Sequence, residues 1–204
     1  MKNGFLAGLI GLVLVGTRVL AQADFNPHDW QVRVRAISVS PDESSTTSNG
    51  GTITAGSDIM PELDISYFMT EDISLELILA TSKHEMGEVG PNIDLGSVWV
   101  LPPTLTAQYH FNNQSAFVPY LGAGINYTIF YNDDPGAVNS IKYENGFGYA
   151  LQAGADYKLD QNWMLNFDVK KIFLNTEASV NGGFVTADVD LDPWVIGFGV
   201  GYRF

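Results

Sequence analysis

The chain has 204 residues, 46% of them hydrophobic and 12% aromatic, and a formal net charge of −13. That balance argues against a nucleic-acid partner, because phosphate-backbone ligands are held by basic patches that displace counterions. Cysteine is absent, which removes disulfides and cysteine-based metal sites.

The first element reads as an address. Lys2, an apolar run from Phe5 to Gly16, and Ala21-Gln22-Ala23 have the order of a secretory signal peptide, residues 1–23, cleaved after Ala23. The run is too short to span a bilayer as a helix. The mature chain, residues 24–204, is expected to be one domain with eight basic residues against 23 acidic ones. No later segment approaches ~18 consecutive apolar residues, so helical spans are not expected. The mean hydropathy of +0.05 is compatible with membrane strands, whose two faces average out.

Trp30 to Ala36 alternates apolar and polar residues with period 2 and stops near Pro41, which predicts a strand. Residues 42–57, rich in Ser, Thr, Asn and Gly, read as a long loop. The second strand sets Leu63, Ile65, Tyr67 and Met69 against Glu62, Asp64 and Ser66. After the short turn Thr70-Glu71-Asp72, a third opposes Ile73, Leu75, Leu77 and Leu79 to Ser74, Glu76, Ile78 and Ala80. Residues 82–96 read as a polar loop. The fourth strand carries Trp99, Leu101, Pro103, Leu105, Ala107, Tyr109 and Phe111 on one face, and turns at Asn112 to Ser115.

Leu121 to Ile129 is the fifth strand, followed by a predicted loop at 132–143. The sixth runs from Phe147 to Tyr157, turns at Asp160 to Asn162, and leads into a seventh marked by Trp163, Leu165, Phe167 and Val169. A loop is expected around Asn181-Gly182-Gly183. In the last strand Trp194, Ile196, Phe198, Val200, Tyr202 and Phe204 share one face, and Gly197, Gly199, Gly201 and Arg203 the other. The apolar alternation of Val185 to Leu191 is one residue out of phase with it, and a bulge at Pro193 is expected to restore register.

Eight strands joined alternately by short and long connections have the rhythm of an outer-membrane barrel. Aromatics on the apolar face gather at both strand ends: Trp30, Tyr67, Tyr109, Phe111, Phe117, Tyr157, Trp163, Tyr202 and Phe204 by the short turns and termini, and Trp99, Tyr127, Tyr131, Phe147, Phe173 and Trp194 by the long loops. Two such girdles mark two membrane interfaces. The expected fold is all-β, an eight-stranded antiparallel transmembrane barrel of up-and-down topology.

Leu101-Pro102-Pro103-Thr104, Gln108-Tyr109-His110-Phe111 and Pro119-Tyr120-Leu121-Gly122-Ala123-Gly124 follow one another in that order. With Trp30 to Arg35, Pro61 to Phe68, Asp192-Pro193-Trp194 and Gly201-Tyr202-Arg203-Phe204, they make the chain resemble the OmpW family of outer-membrane proteins, which includes the AlkL-type alkane importers. The resemblance implies a Gram-negative outer-membrane barrel with a narrow hydrophobic channel for small apolar molecules. It also implies a C-terminal aromatic signal, Tyr202 and Phe204, read by the barrel-assembly machinery.

Parity sorts the inward face by height. Near the short-turn end it carries Arg33, Arg35, Glu62, Asp64, Glu76, Asp156, Lys158, Asp168, Lys170 and Arg203, five of each sign. Charges in so narrow a lumen persist only when paired, so they read as a salt-bridged plug. The outer half carries Ile37, Val39, Ile78, Ala80, Val98, Val100, Pro102, Phe130, Ile172 and Leu174. These form either an apolar solute pathway or a dry core. Pro61, Pro102, Pro103 and Pro119 each remove a ladder hydrogen bond. Pro102 and Pro103 mark either a lateral seam in the wall or a point of barrel curvature.

The functional expectation is uptake of small hydrophobic molecules with lateral exit into the bilayer; the alternative is a structural or receptor barrel without transport. Catalysis is not expected. His110 is the one histidine placed inward, and no nucleophile-elbow pattern accompanies it. No cofactor or metal is expected, the acidic residues Glu85, Glu88, Asp94, Asp133 and Asp134 reading mainly as solvated loop positions. The expected partners are outer-membrane lipid and lipopolysaccharide, the assembly machinery and small hydrophobic solutes.

Overall fold

Alternating side chains govern the molecule from end to end. The computed structural model describes residues 26–204 except 41, 43, 48–51, 56, 90–92, 114 and 184; the expected leader, residues 1–23, lies outside the described residues. The strand segments among them are β1 (Trp30–Ser40), β2 (Ser44–Thr47), β3 (Thr52–Ala55), β4 (Asp58–Phe68), β5 (Ile73–Ala80), β6 (Ser82–Val89), β7 (Ile93–Leu101), β8 (Thr104–His110), β9 (Phe117–Asp134), β10 (Ile141–Tyr143), β11 (Gly146–Lys158), β12 (Trp163–Val180), β13 (Val185–Asp190) and β14 (Trp194–Arg203). They make eight long strands. Six are interrupted once, as β1–β2, β3–β4, β5–β6, β7–β8, β10–β11 and β13–β14, and two, β9 and β12, run unbroken for 18 residues each.

Antiparallel pairing passes from β1 to β4, β5, β8, β9, β11, β12 and β14 and returns to β1. The sheet is therefore a closed up-and-down barrel, which leaves no backbone edge unpaired toward lipid. Closure pairs Gln31 with Arg203 through to Ser40 with Trp194. Trp30 and Phe204 exchange backbone hydrogen bonds at 3.0 and 2.9 Å, so the start of β1 and the end of β14 meet at the short-turn rim. In one of those turns the Asp160 carboxylate accepts from the backbone N–H of Asn162 and Trp163, each at 2.8 Å. Those two donors hold its pKa below the usual carboxylate range.

The outside is apolar where the inside is not. Leu63, Leu77, Leu105, Leu121, Leu151, Phe167, Phe198 and Val200 all face outward and are exposed. A continuous apolar belt of this kind is stable only against lipid. Its rims are aromatic. Trp30 with Tyr67, Tyr109 with Phe111 and Trp163 with Tyr202 pack at 4.9, 5.1 and 5.0 Å near the termini. Tyr127 with Phe147 and Tyr149 with Phe173 pack at 4.6 Å toward the other end.

Two expectations need correction. The stretches 42–57, 82–96 and 132–143 are not simply loops: β2 and β3, β6 with the start of β7, and β10 with the end of β9 carry the barrel beyond the lipid belt. There the outward face no longer meets lipid and is free to be polar, so Ser82-Lys83-His84-Glu85 alternates by burial without alternating in polarity. The phase break at Pro193 is also absent. Asp190 pairs with Asn175 and Trp194 with Lys171, in one continuous register. Ala187 and Val189 are buried on the same parity as Val195, so the apolar face of β13 turns inward.

The glycine face of β14 has a steric cause. A Cβ on Gly199 would fall on the carbonyl oxygen of Val34 and lie 2.8 Å from Arg35 Cγ, and one on Gly201 would lie 3.1 Å from Arg33 Cγ. The bare backbone makes room for two arginine stems. Gly199→Val should therefore cost on the order of 2 kcal/mol or more by overpacking. Its unfolding midpoint in urea should fall well below that of the lipid-facing change Val200→Ala; equal midpoints would show that β14 adjusts freely.

Candidate functional site

The lower lumen is built by parity. β1 turns Arg33 and Arg35 inward, β4 Glu62 and Asp64, β5 Glu76, β11 Asp156 and Lys158, β12 Asp168 and Lys170, and β14 Arg203; all ten are buried. Register places opposite signs side by side, with Arg33 across from Asp64 and Arg35 across from Glu62. Arg33 donates to Glu76 at 2.7 Å and to Asp156 at 2.9 Å. Arg35 is the hub: its guanidinium lies 2.9 Å from Glu62, 2.6 Å from Asp64, 3.3 Å from Glu76 and 3.4 Å from Asp168. Lys170 bridges Glu62 at 2.8 Å and Asp168 at 3.0 Å.

Neutral groups tie these charges further. Gln152 Nε2 donates to Glu76 at 3.0 Å and Asp168 at 2.8 Å, and the Tyr120 hydroxyl donates to Asp168 at 2.7 Å. Toward the termini Arg203 meets Asp29 at 3.1 Å and lies over the Phe68 ring. Buried charges are tolerable only with such pairing. His110 sits in this half, with Ser74 Oγ 3.1 Å from its Nε2 and the Phe68 and Tyr120 rings beside it. It does not line the cavity above.

That cavity occupies the outer half, with Glu62 and Lys170 at its floor. It encloses about 920 Å³ of space not filled by atoms, its mouth included. Ile37, Val39, Ile78, Ala80, Val98, Val100, Pro102, Phe130, Ile172 and Leu174 all line it, whereas Pro103 does not. Met60, Ser82, His84, Met86, Thr104, Thr128, Tyr143, Thr176, Val189, Leu191, Pro193 and Val195 line it too. Several of these come from segments whose composition reads as loop. Period-2 spacing of Ser82, His84 and Met86 is the signal that would have found them.

The wall beside the cavity is unevenly stitched. β5 pairs with β8 as far as Ile78 with Thr104, and β6 pairs with β7 from Ser82 with Val100. Between those pairs, residues 79–81 and 101–103 form no ladder pairs with each other. Proline at 102 and 103 supplies no N–H there. Toward β9 the same residues are held: Tyr127 N–H donates to Pro103 O at 3.1 Å, and Asn126 Nδ2 donates to Pro102 O at 3.2 Å and Thr104 Oγ1 at 2.8 Å. A second gap lies across the barrel strand from the first. β4 leaves β5 after Glu62 with Ala80, and pairing with β6 resumes only at Ala55 with Met86 in β3. Residues 79–81 thus lack ladder partners toward β7 and β8, while Leu79 and Ala80 remain paired with Leu63 and Glu62 of β4.

A family model described as the OmpW family matches residues 27–204, nearly the whole described barrel. The chain belongs to the OmpW family. Among curated relatives, the uncharacterized outer-membrane protein y4mB of Sinorhizobium fredii is 47% identical over 182 residues, covering 86% of this chain and 80% of its own. The dibenzothiophene metabolism operon protein PahQ of Pseudomonas aeruginosa is 26% identical over 186 residues, covering 86% and 88%. Among solved structures, the outer-membrane protein OprG of Pseudomonas aeruginosa superposes with a TM-score of 0.85 at 30% identity, covering 90% of this chain and 99% of its own. Like OprG, this OmpW-family chain is an outer-membrane β-barrel, and the rim of short turns is the periplasmic one.

Proposed function

We propose that the barrel takes small hydrophobic molecules from the cell exterior into its apolar vestibule and releases them sideways into the bilayer. The observation that carries this reading is the stacking of an apolar cavity directly on a buried, ion-paired charge cluster. An apolar solute gains about 25 cal/mol for each Å² it buries in the vestibule and gains nothing by entering the ion pairs beneath. The break in pairing between residues 79–81 and 101–103, at Pro102 and Pro103, supports a lateral exit. The name of PahQ, tied to a dibenzothiophene operon, points to an apolar substrate for that relative and agrees with the reading. Export through the leader of residues 1–23 and insertion directed by Tyr202 and Phe204 complete the proposal.

The test is uptake of a hydrophobic fluorophore by cells whose outer membrane holds this barrel as its only family member, against cells with none. Pro102→Thr restores an N–H to the wall and should slow uptake severalfold while the barrel remains heat-modifiable on gels. Parental rates in that variant would remove the proline seam from the route. No uptake above the empty cells would leave a structural or receptor barrel as the better reading.

A further inference from the structure

The break in the wall is crossed on its outer surface by a pair of hydroxyl groups. Leu79, Ala80 and Thr81 face Leu101, Pro102 and Pro103 there, and of these six residues only Thr81 has a side chain able to hydrogen-bond. Ladder pairing stops at Ile78 with Thr104 below the break and begins at Ser82 with Val100 above it. Thr81 lies between β5 and β6 and is exposed. Its Oγ1 lies 2.5 Å from the hydroxyl of Tyr131.

Tyr131 belongs to β9, which does not pair with β5 or β6. It pairs with Trp99 of β7, and its ring lies 6.2 Å from the Trp99 ring on the outer surface. Leu101 pairs with Ile129, and Tyr127 N–H donates to Pro103 O at 3.1 Å, so β9 holds one bank of the break along its length. The phenol therefore reaches over β7 and ties the β5–β6 joint to that bank. On the lumen side of the same place stand Ala80 and Pro102, which line the cavity and have no polar side-chain group to close it from within. A single hydrogen bond between exposed hydroxyls is worth little, because water or a lipid headgroup replaces either partner. Exposed side chains also change rotamer within nanoseconds, so this contact resists opening without preventing it.

We propose that the Thr81–Tyr131 hydrogen bond is a latch on the lateral exit. Closed, it holds the β5–β6 joint against β9 across Pro102 and Pro103; released, it lets the two banks part for a solute leaving the vestibule. This rests on the lateral-release reading above and names the residues that set the rate of that release. Neither Thr81 nor Tyr131 lines the cavity, so the latch acts on the rate of leaving and not on the vestibule's affinity.

The experiment follows the initial rate of N-phenyl-1-naphthylamine uptake in cells whose outer membrane holds the full barrel as its only family member. It pairs this with equilibrium binding of the same probe to the barrel in lipid nanodiscs, partition into empty nanodiscs subtracted. Tyr131→Phe and Thr81→Val, which keep the side-chain shapes, should each raise the rate about threefold, the low end of what one hydrogen bond is worth. The double variant should be no faster than either, since both changes remove the same bond. Binding and the urea midpoint should stay at parental values. Tyr149→Phe, which removes an outer-surface hydroxyl from β11, should leave the rate unchanged. Parental or slower uptake in both latch variants, with Pro102→Thr still slow, overturns the latch and leaves the lateral route standing. A double variant faster than both singles, equal acceleration by Tyr149→Phe, or a rate that rises only with tighter binding also overturns it. Parental rates in all three seam variants, or a parent no faster than empty cells, remove the lateral route itself and the latch with it.

Discussion

Arg35→Ala is expected to destabilise the barrel by about 3–5 kcal/mol, the usual effect of removing one partner from a buried ion pair. Four carboxylates lie within 3.4 Å of this guanidinium. Three of them keep other partners: Glu62 and Asp168 keep Lys170, and Glu76 keeps Arg33. Asp64 is worse placed, since both its carboxylate oxygens lack hydrogen bonds and Arg35 is its ion-pair partner at 2.6 Å. The neighbouring Val34 faces lipid and is 53% exposed, so Val34→Ala removes only lipid contact. Urea unfolding in vesicles should separate the two variants clearly. Asp64→Asn added to Arg35→Ala should recover part of the loss, because it removes the orphaned charge. Equal losses for Arg35→Ala and Val34→Ala would mean that the plug is wet and its charges are solvated.

Ile78→Asp should lower hydrophobic-probe uptake at least tenfold without unfolding the barrel. Ile78 is 3% exposed, lines the vestibule just above Glu76 on the same strand face, and pairs with Thr104 beside the weakly stitched joint. A solute that buries ~150 Å² there gains roughly 4 kcal/mol. A carboxylate at the site holds water that the solute would have to strip, and much of that gain is lost. The vestibule is open to the outside, so the new carboxylate can remain hydrated and the fold tolerates it. Ile78→Val, which keeps the surface apolar, should transport near the parental rate. Parental uptake by a folded Ile78→Asp barrel would show that solutes do not pass through this cavity.

Legibility differed between the two halves of the lumen for a physical reason. In the lipid belt the outward positions must be apolar, so Arg33, Glu62 and Asp168 stand out as the inward parity. Beyond the belt that constraint lapses. Lys83 and Glu85 face out while Ser82 and His84 face in, and polarity no longer tells the faces apart. Tyr143 lies in a three-residue strand whose register against β12 differs by one from that of β11, so counting back from Phe147 puts it on the wrong face. The inward apolar face of β13 misled in the opposite direction. Val189 is greasy because it lines the vestibule, so the apolar alternation of β13 runs out of phase with the lipid face of β14 without any bulge. Pairwise distances in the plug were not legible at all, since they depend on which strands meet across the lumen.

That last point bears on how the barrel is made. Arg33 and Arg35 come from the first strand, yet their partners Asp156 and Asp168 come from β11 and β12, more than 120 residues later. A half-assembled sheet would leave Arg33 without Asp156 and Arg35 without Asp168, although Glu62 and Asp64 on β4 still face Arg35. Neighbouring strands supply part of the pairing, Arg35 with Glu62 and Asp64 of β4 and Lys170 with Asp168 on β12, but the contacts of Arg33 with Asp156 and of Arg35 with Asp168 reach across the lumen. Zipping β14 onto β1 is the event that brings the two sets together, and it does so over a glycine track that has to lie flat against the arginine stems. Closure therefore completes the ion-pair network across the lumen as well as the hydrogen-bond ladder around it.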